Sequence, residues 1–188
     1  MARPKSDDKR NAILSAAIQA IVNHGLSAST ALIAQEAGVA NGTFFTYFKT
    51  KSELFNQLYL ELKTGMASTA LDDMPPEVTI KEQIYNVWSN WVHWAVESPN
   101  KRRALALLGV SDELTAETRD EGHLVMAPLA RLIEQIHENG AMRDAGMEFV
   151  IALMNSIAET TMDFARRSPE KAEEYCKTGF DALWRLMA

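Results

Sequence analysis

The chain is poor in cysteine, glycine and proline. Its single cysteine, Cys176, excludes an intrachain disulfide and offers no cluster of metal ligands, which suits a reducing compartment. Nine Gly and six Pro are spread over 188 residues, and alternating Val/Ile/Thr runs are nearly absent, so an all-α protein is expected. No uninterrupted apolar run reaches the roughly 20 residues a membrane span needs. The charged stretch Met1 to Arg10 leads into an amphipathic helix and not a signal peptide, so a soluble cytoplasmic protein is expected. Groups that catalysis uses are scarce too. His24, His93, His123, His137 and Cys176 are scattered, with no nucleophile motif, no metal pair one turn apart and no phosphate-cradling glycine loop. The expectation is a protein that binds and does not catalyse, without metal or cofactor.

Net charge is −6, but it is unevenly spread. Residues 1–51 carry +3 and the remainder −9. A basic head on an acidic body directs polyanions to one end of a molecule; ordinary surface variation would produce the same numbers.

Apolar spacing and capping signals predict about nine helices. The first runs from Asp7 to His24, capped by Ser6, with Ile13, Leu14, Ala17 and Ile21 inward and Gly25 as its end. Ser29 caps a short second helix that Gly38 stops in the left-handed conformation, and a third covers Asn41 to Phe48. Thr50-Lys51-Ser52-Glu53 reads as a capping box, opening a long helix to Ala70 with Leu54, Leu58, Leu62 and Met66 inward. Asp72-Asp73-Met74-Pro75-Pro76 is the clearest break. Thr79 to Glu82 is a second capping box, starting a helix to about Val96, and Ser98-Pro99 starts the next, to about Val110. Ser111 to Gly122 is polar and acidic, and Pro128 interrupts the helical pattern before Asn139-Gly140. Asp144–Arg167 and Pro169–Met187 complete the set, the latter with Ser168 as cap.

The stretch Thr30 to Phe48 carries most of the functional information. A helix, a tight glycine turn and a second helix is the arrangement that places the second helix in a DNA major groove, although any packed helix pair could share the pattern. The spacing puts Val39, Phe44 and Phe48 on a sealing face and leaves Asn41, Thr43, Thr46 and Tyr47 for base edges or phosphates. Thr30 and Lys51 flank that face. The run Gly25-Leu26, then Ile33-Ala34-x-x-Ala37-Gly38-Val39-x-x-Gly42-Thr43-x-Phe45-x-Tyr47-Phe48-x-x-Lys51-x-Glu53-Leu54, closely resembles the signature of the TetR family of repressors over about 45 residues. Met1 to Ser6 and Ala158 to Ala165 add a similarity to one multidrug-sensing member of that family.

The resemblance implies a homodimer on an inverted-repeat (palindromic) operator of double-stranded DNA, occupied by one or two dimers. A small-molecule inducer would change the spacing of the two DNA-binding heads. It implies an N-terminal DNA-binding domain, 1–50, and a ligand-binding and dimerisation domain, 51–188. Thr30 and Thr43 become DNA-contacting hydroxyls, Thr46 and Tyr47 further contacts beside Gly42, and Lys51 the cation opening the fourth helix. Phe45 stands where the family usually has Tyr, so a phenolic phosphate contact is lost there. Ala40 and Asn41 replace a common Ser and a frequent Lys, which leaves the operator sequence open.

In the body, Trp88, Trp91 and Trp94 lie three residues apart on a helix apolar around most of its circumference. They fit core packing, or an aromatic wall for flat and cationic compounds; the resemblance favours Trp88 and Trp91 as ligand contacts. Tyr59 and Lys63 sit one turn apart on the fourth helix, where a ligand could pull on Lys51; Lys63 could equally snorkel on the surface. Met154 is a deformable apolar group. Asn155 and Glu159 share a polar stripe with Glu148, Asp163 and Arg166, which reads as a solvated face, or as buried partners for a cationic ligand if the family's arrangement holds. The final helix pair resembles the family's dimerisation element. Phe164, Tyr175, Phe180, Leu183, Trp184 and Met187 supply apolar area for a twofold interface or for the monomer core. An enzyme, or an architectural DNA binder without a sensor, is the rival class.

Overall fold

A computed structural model describes residues 5–72 and 78–188. Among these residues every regular element is helical: ten α-helices and two single 3₁₀ turns. The helices are α1 Lys5–His24, α2 Thr30–Glu36, α3 Asn41–Tyr47, α4 Lys51–Ala70, α5 Ile80–Glu97, α6 Pro99–Gly109, α7 Ala116–Val125, α8 Ala127–His137, α9 Met147–Arg167 and α10 Ala172–Met187. The sequence break at 72–76 lies outside the described residues except for Asp72.

The count exceeds the expected nine because the acidic stretch after Ser111 contains α7. Thr115 starts it: its hydroxyl accepts from the Thr118 N–H at 3.1 Å and its carbonyl from the Arg119 N–H at 3.1 Å. Glu117 in the first turn favours the positive helix end, so a run that looked like loop by polarity has a helix start signal after all. Three boundaries also differ. α1 starts at Lys5, so Ser6 lies inside it and not at the position before its first residue. α9 begins at Met147, after the turns that follow Gly140, and not at Asp144. Pro169–Lys171 forms a 3₁₀ turn with no side-chain cap from Ser168, so α10 starts at Ala172.

The chain packs as two compact units, residues 1–64 with 99–123, and residues 65–98 with 124–188. The core of the first contains Ile13, Leu14, Ala17 and Ile21 of α1, Ile33 and Ala34 of α2, Phe44 and Phe48, and Leu54, Phe55, Leu58 and Leu62 of α4. The expected inward stripes of the first and fourth helices are thus the buried ones, because residues three and four apart return to the same helix face.

The second unit is built on α5, which packs against α8, α9 and α10. Its capping box is complete: the Thr79 hydroxyl accepts from the Glu82 N–H, and the Glu82 carboxylate accepts from the Thr79 N–H at 2.9 Å. Trp88 is buried, its indole N–H donating to the Cys176 carbonyl at 2.9 Å, and its ring lies 6.5 Å from that of Phe180. Gly179 lets α10 approach α9 closely. A Cβ there would stand 2.1 Å from the Thr161 hydroxyl and 3.0 Å from the Trp88 ring.

Candidate nucleic-acid interface

The turn between α2 and α3 is closed by its own backbone. Ser29 caps α2 by accepting from the Leu32 N–H at 3.2 Å. At the other end, the Val39 N–H reaches the Ala34 carbonyl at 3.0 Å and the Gly38 N–H that of Gln35 at 3.1 Å. This paired closure needs a left-handed residue, and Gly38 supplies it at φ 67°. Val39 then packs on the core and Ala40, extended, delivers the chain into α3.

α3 is anchored by two fully buried rings, Phe44 and Phe48, with centroids 5.9 Å apart. Burying that side presents the other. Asn41, Gly42, Phe45 and Thr46 are exposed, while Thr30, Thr43 and Tyr47 are half-buried at the flanks. The Thr46 hydroxyl donates to the Gly42 carbonyl at 3.2 Å. Its proton is committed, so it faces outward as an acceptor, the complement of an adenine or cytosine amino group.

Two expectations about this face need correction. Tyr47 and Lys51 were expected to point away from the core, yet Tyr47 packs against it and Lys51 is half-buried. The Lys51 ammonium donates to the Leu26 carbonyl at 3.1 Å, stands 5.3 Å from the Phe55 ring centroid and 3.9 Å from the Glu113 carboxylate. The start of α4 also differs from a reciprocal capping box. Thr50 accepts from the Glu53 N–H at 3.0 Å, but the Glu53 carboxylate reaches one residue further back, to the Lys49 N–H at 2.7 Å. An anion at this helix end is therefore already supplied by the protein. Lys49, outside the expected set, is exposed between α3 and α4. Its signal in the sequence was its place directly before the capping threonine.

The expected ligand contacts fall in both units. In the first, Tyr59 is buried and α7 crosses it at Gly122, where a Cβ would lie 2.7 Å from the Tyr59 ring. Burial pushes the Tyr59 phenol pKa up, with Arg119 partly opposing. Lys63 is half-buried, and burial holds its ammonium below the usual lysine range. No hydrogen-bond or ion-pair partner for it occurs among the described residues.

In the second unit, Trp88 is committed to α10 as described, whereas Trp91 is half-buried with its ring edge-on to Trp88 at 6.5 Å. Met154 is half-buried, and Asn155 and Glu159 are exposed along α9. Phe180, Leu183 and Met187 are buried and close the unit's core, so of the expected interface residues Phe164 is the exposed one, with Tyr175 and Trp184 half-buried. A groove of about 490 Å³ runs along α9 and α10, lined by Ile157, Thr160, Phe164, Tyr175, Gly179 and Ala182 among others. Beyond it Phe149 and Ile151 are also exposed. No metal-ligand cluster, and no helix long and apolar enough to cross a membrane, occurs among the described residues.

Comparison with known proteins agrees with this geometry. Residues 13–58 match the family model of bacterial regulatory proteins, tetR family. The HTH-type transcriptional regulator YhgD of Bacillus subtilis, itself uncharacterized, is 35% identical over 81 residues, 43% of this chain and 42% of that protein. The fatty acid metabolism regulator protein of the same organism is 33% identical over 73 residues, 38% of each chain. The matches thus span about two fifths of the length of these curated relatives. A crystal structure of a tetR family transcription regulator from Shewanella sp. PV-4 superposes with TM-score 0.84 at 28% identity, covering 96% of this chain and 98% of that one. These relatives are transcription regulators, not enzymes. Residues 13–58 thus carry the signature of the bacterial regulatory proteins of the tetR family in a helix-turn-helix, and nearly the whole chain shares the fold of a tetR family transcription regulator.

Proposed function

We propose that the protein is a ligand-responsive cytoplasmic repressor that binds a palindromic operator as a homodimer and is released by small aromatic, often cationic, compounds. Residues 1–50 are the DNA-binding part and 51–188 the sensing and dimerising part, and the regulated genes serve efflux or drug resistance, in keeping with the resemblance to the multidrug-sensing repressor RamR. The observation that carries the reading is α3, whose apolar side is sealed by Phe44 and Phe48 while Asn41, Gly42, Phe45 and Thr46 stay exposed. Thr30, Thr43, Tyr47 and Lys51 border that face.

Dimerisation draws support from the α9–α10 groove, since exposed apolar patches of this kind mark contact surfaces and a twofold axis lets one patch cover its copy. For the inducer, the candidate contacts are Tyr59, Lys63, Trp88, Trp91, Met154, Asn155 and Glu159. Trp88 contributes mainly by placing Trp91. Release requires the compound to favour the dimer arrangement whose heads no longer match the half-sites. A coupling of about 1–3 kcal/mol weakens operator binding roughly 5- to 150-fold.

A second reading of the inducer rests on Lys63. A half-buried ammonium without a counter-ion among the described residues favours an anionic head group, and one relative is a fatty acid metabolism regulator. One titration series separates the two. Operator is selected from random duplexes, and its complex is titrated with a cationic acridine dye or with a long-chain fatty acyl anion. Dye-driven release that Glu159→Gln weakens supports the first reading; acyl-driven release that Lys63→Met weakens supports the second. Equal affinity for selected and random DNA, at all salt concentrations, would overturn DNA recognition itself.

A further inference from the structure

Phe45 is the one large apolar side chain on the exposed face of α3, and it is 45% exposed. Its ring is held edge-on to buried Phe44, with centroids 5.2 Å apart and planes at 78°, so its position is set by the core. Side chains on a helix lean toward its N-terminus and cover the preceding turn. For Phe45 that turn holds Asn41 and Gly42, and nothing lies within 4 Å of where a Gly42 Cβ would be. The Gly42 backbone is therefore open, and this part of the α3 surface can come close to a partner.

A phenyl ring has no donor or acceptor, so it cannot hydrogen-bond a phosphate. The major groove offers one apolar feature on its base edges, the C5-methyl of thymine. We infer that Phe45 reads a thymine methyl in each operator half-site, and so sets a base preference that the polar residues of α3 do not. The neighbouring groups suit flanking positions: Asn41 can pair with an adenine edge, and Thr46 accepts from an amino group.

The inference rests on the DNA-binding reading above, and its test keeps the two apart. Operator is first selected from random duplexes with the full-length protein. Each thymidine is then replaced singly by deoxyuridine, which removes the methyl and leaves pairing intact. Wild type should lose affinity at one symmetry-related position by about fourfold, the value of one buried methyl-sized group. Phe45→Ala should bind more weakly overall and be indifferent to that replacement, while Phe45→Leu should keep part of the discrimination. Both variants should retain wild-type helicity, with a small loss of melting temperature from the edge-on contact with Phe44. Uridine tolerated at every position, or discrimination that survives in Phe45→Ala, overturns the inference and leaves operator binding standing. A selection that enriches no sequence overturns both.

Discussion

The first unit and the α9–α10 pair of the second solve the burial of aromatic rings differently. Around α3, three phenylalanines, Phe44, Phe48 and Phe55, are fully buried, and the single exposed one, Phe45, lies among polar neighbours. Along α9, Phe149, Ile151 and Phe164 are each exposed, and a groove lies beside Phe164. The first unit closes its core with its own residues and displays a mainly polar face. The helix pair leaves apolar area uncovered, which fits the second copy proposed above. A polar face reads its partner by hydrogen bonds and tolerates water between encounters; an apolar one gains by staying covered.

The strongest way to break this comparison is at the closed core. Phe48→Ala should cost about 3–5 kcal/mol, the usual range for deleting a buried aromatic ring. The measurements are thermal unfolding and operator binding, which should fail together; near-wild-type melting would mean that the rings do not hold α3.

A somewhat smaller effect is expected at the open face. Phe164→Asp places a charge beside the groove and should weaken the dimer by about 2 kcal/mol or more, as loss of an interface aromatic does. Sedimentation should show monomer at concentrations where wild type is dimeric, with helicity retained because Phe164 is exposed. A dimer of unchanged affinity would place the interface elsewhere.

The smallest effect concerns the cation left within the first unit. Burial disfavours the charged form of Lys63, so its folded pKa lies below the unfolded one and the folded state carries a penalty while the residue is protonated. That penalty is full below the folded pKa. It is relieved as pH rises through it, because the unfolded state then binds more protons, and it is gone above the usual lysine range. Lys63→Met should therefore melt slightly higher than wild type at neutral pH, with the advantage shrinking as pH rises toward the lysine range. An advantage independent of pH would show that the gain comes from packing and not from the charge.

The sealing face of α3, the glycine turn and the inward stripes of α1 and α4 were legible in the chain because each follows from a local rule: helical periodicity, a cap, or a backbone conformation that glycine adopts most readily. α7 was missed because its composition is polar and acidic, and its start depends on one threonine that a reading by polarity passes over. Trp88, Trp91 and Trp94 illustrate the limit of periodicity. Their spacing placed them on one mostly apolar helix, but not which of them is used up: Trp88 meets Cys176 and Phe180, more than eighty residues distant in the chain.

The amino-acid sequence by itself determined the helical class, the helix-turn-helix and its sealing face, since these depend on residues within a turn or two of each other. Tertiary structure alone decided the rest. It turned Lys51 back onto the Leu26 carbonyl, aimed Glu53 at Lys49, buried Phe180, Leu183 and Met187 within the unit, and left Phe164 outside. The physical reason is that periodicity assigns a side chain to a face of its helix, whereas burial and pairing depend on which other helix arrives at that face.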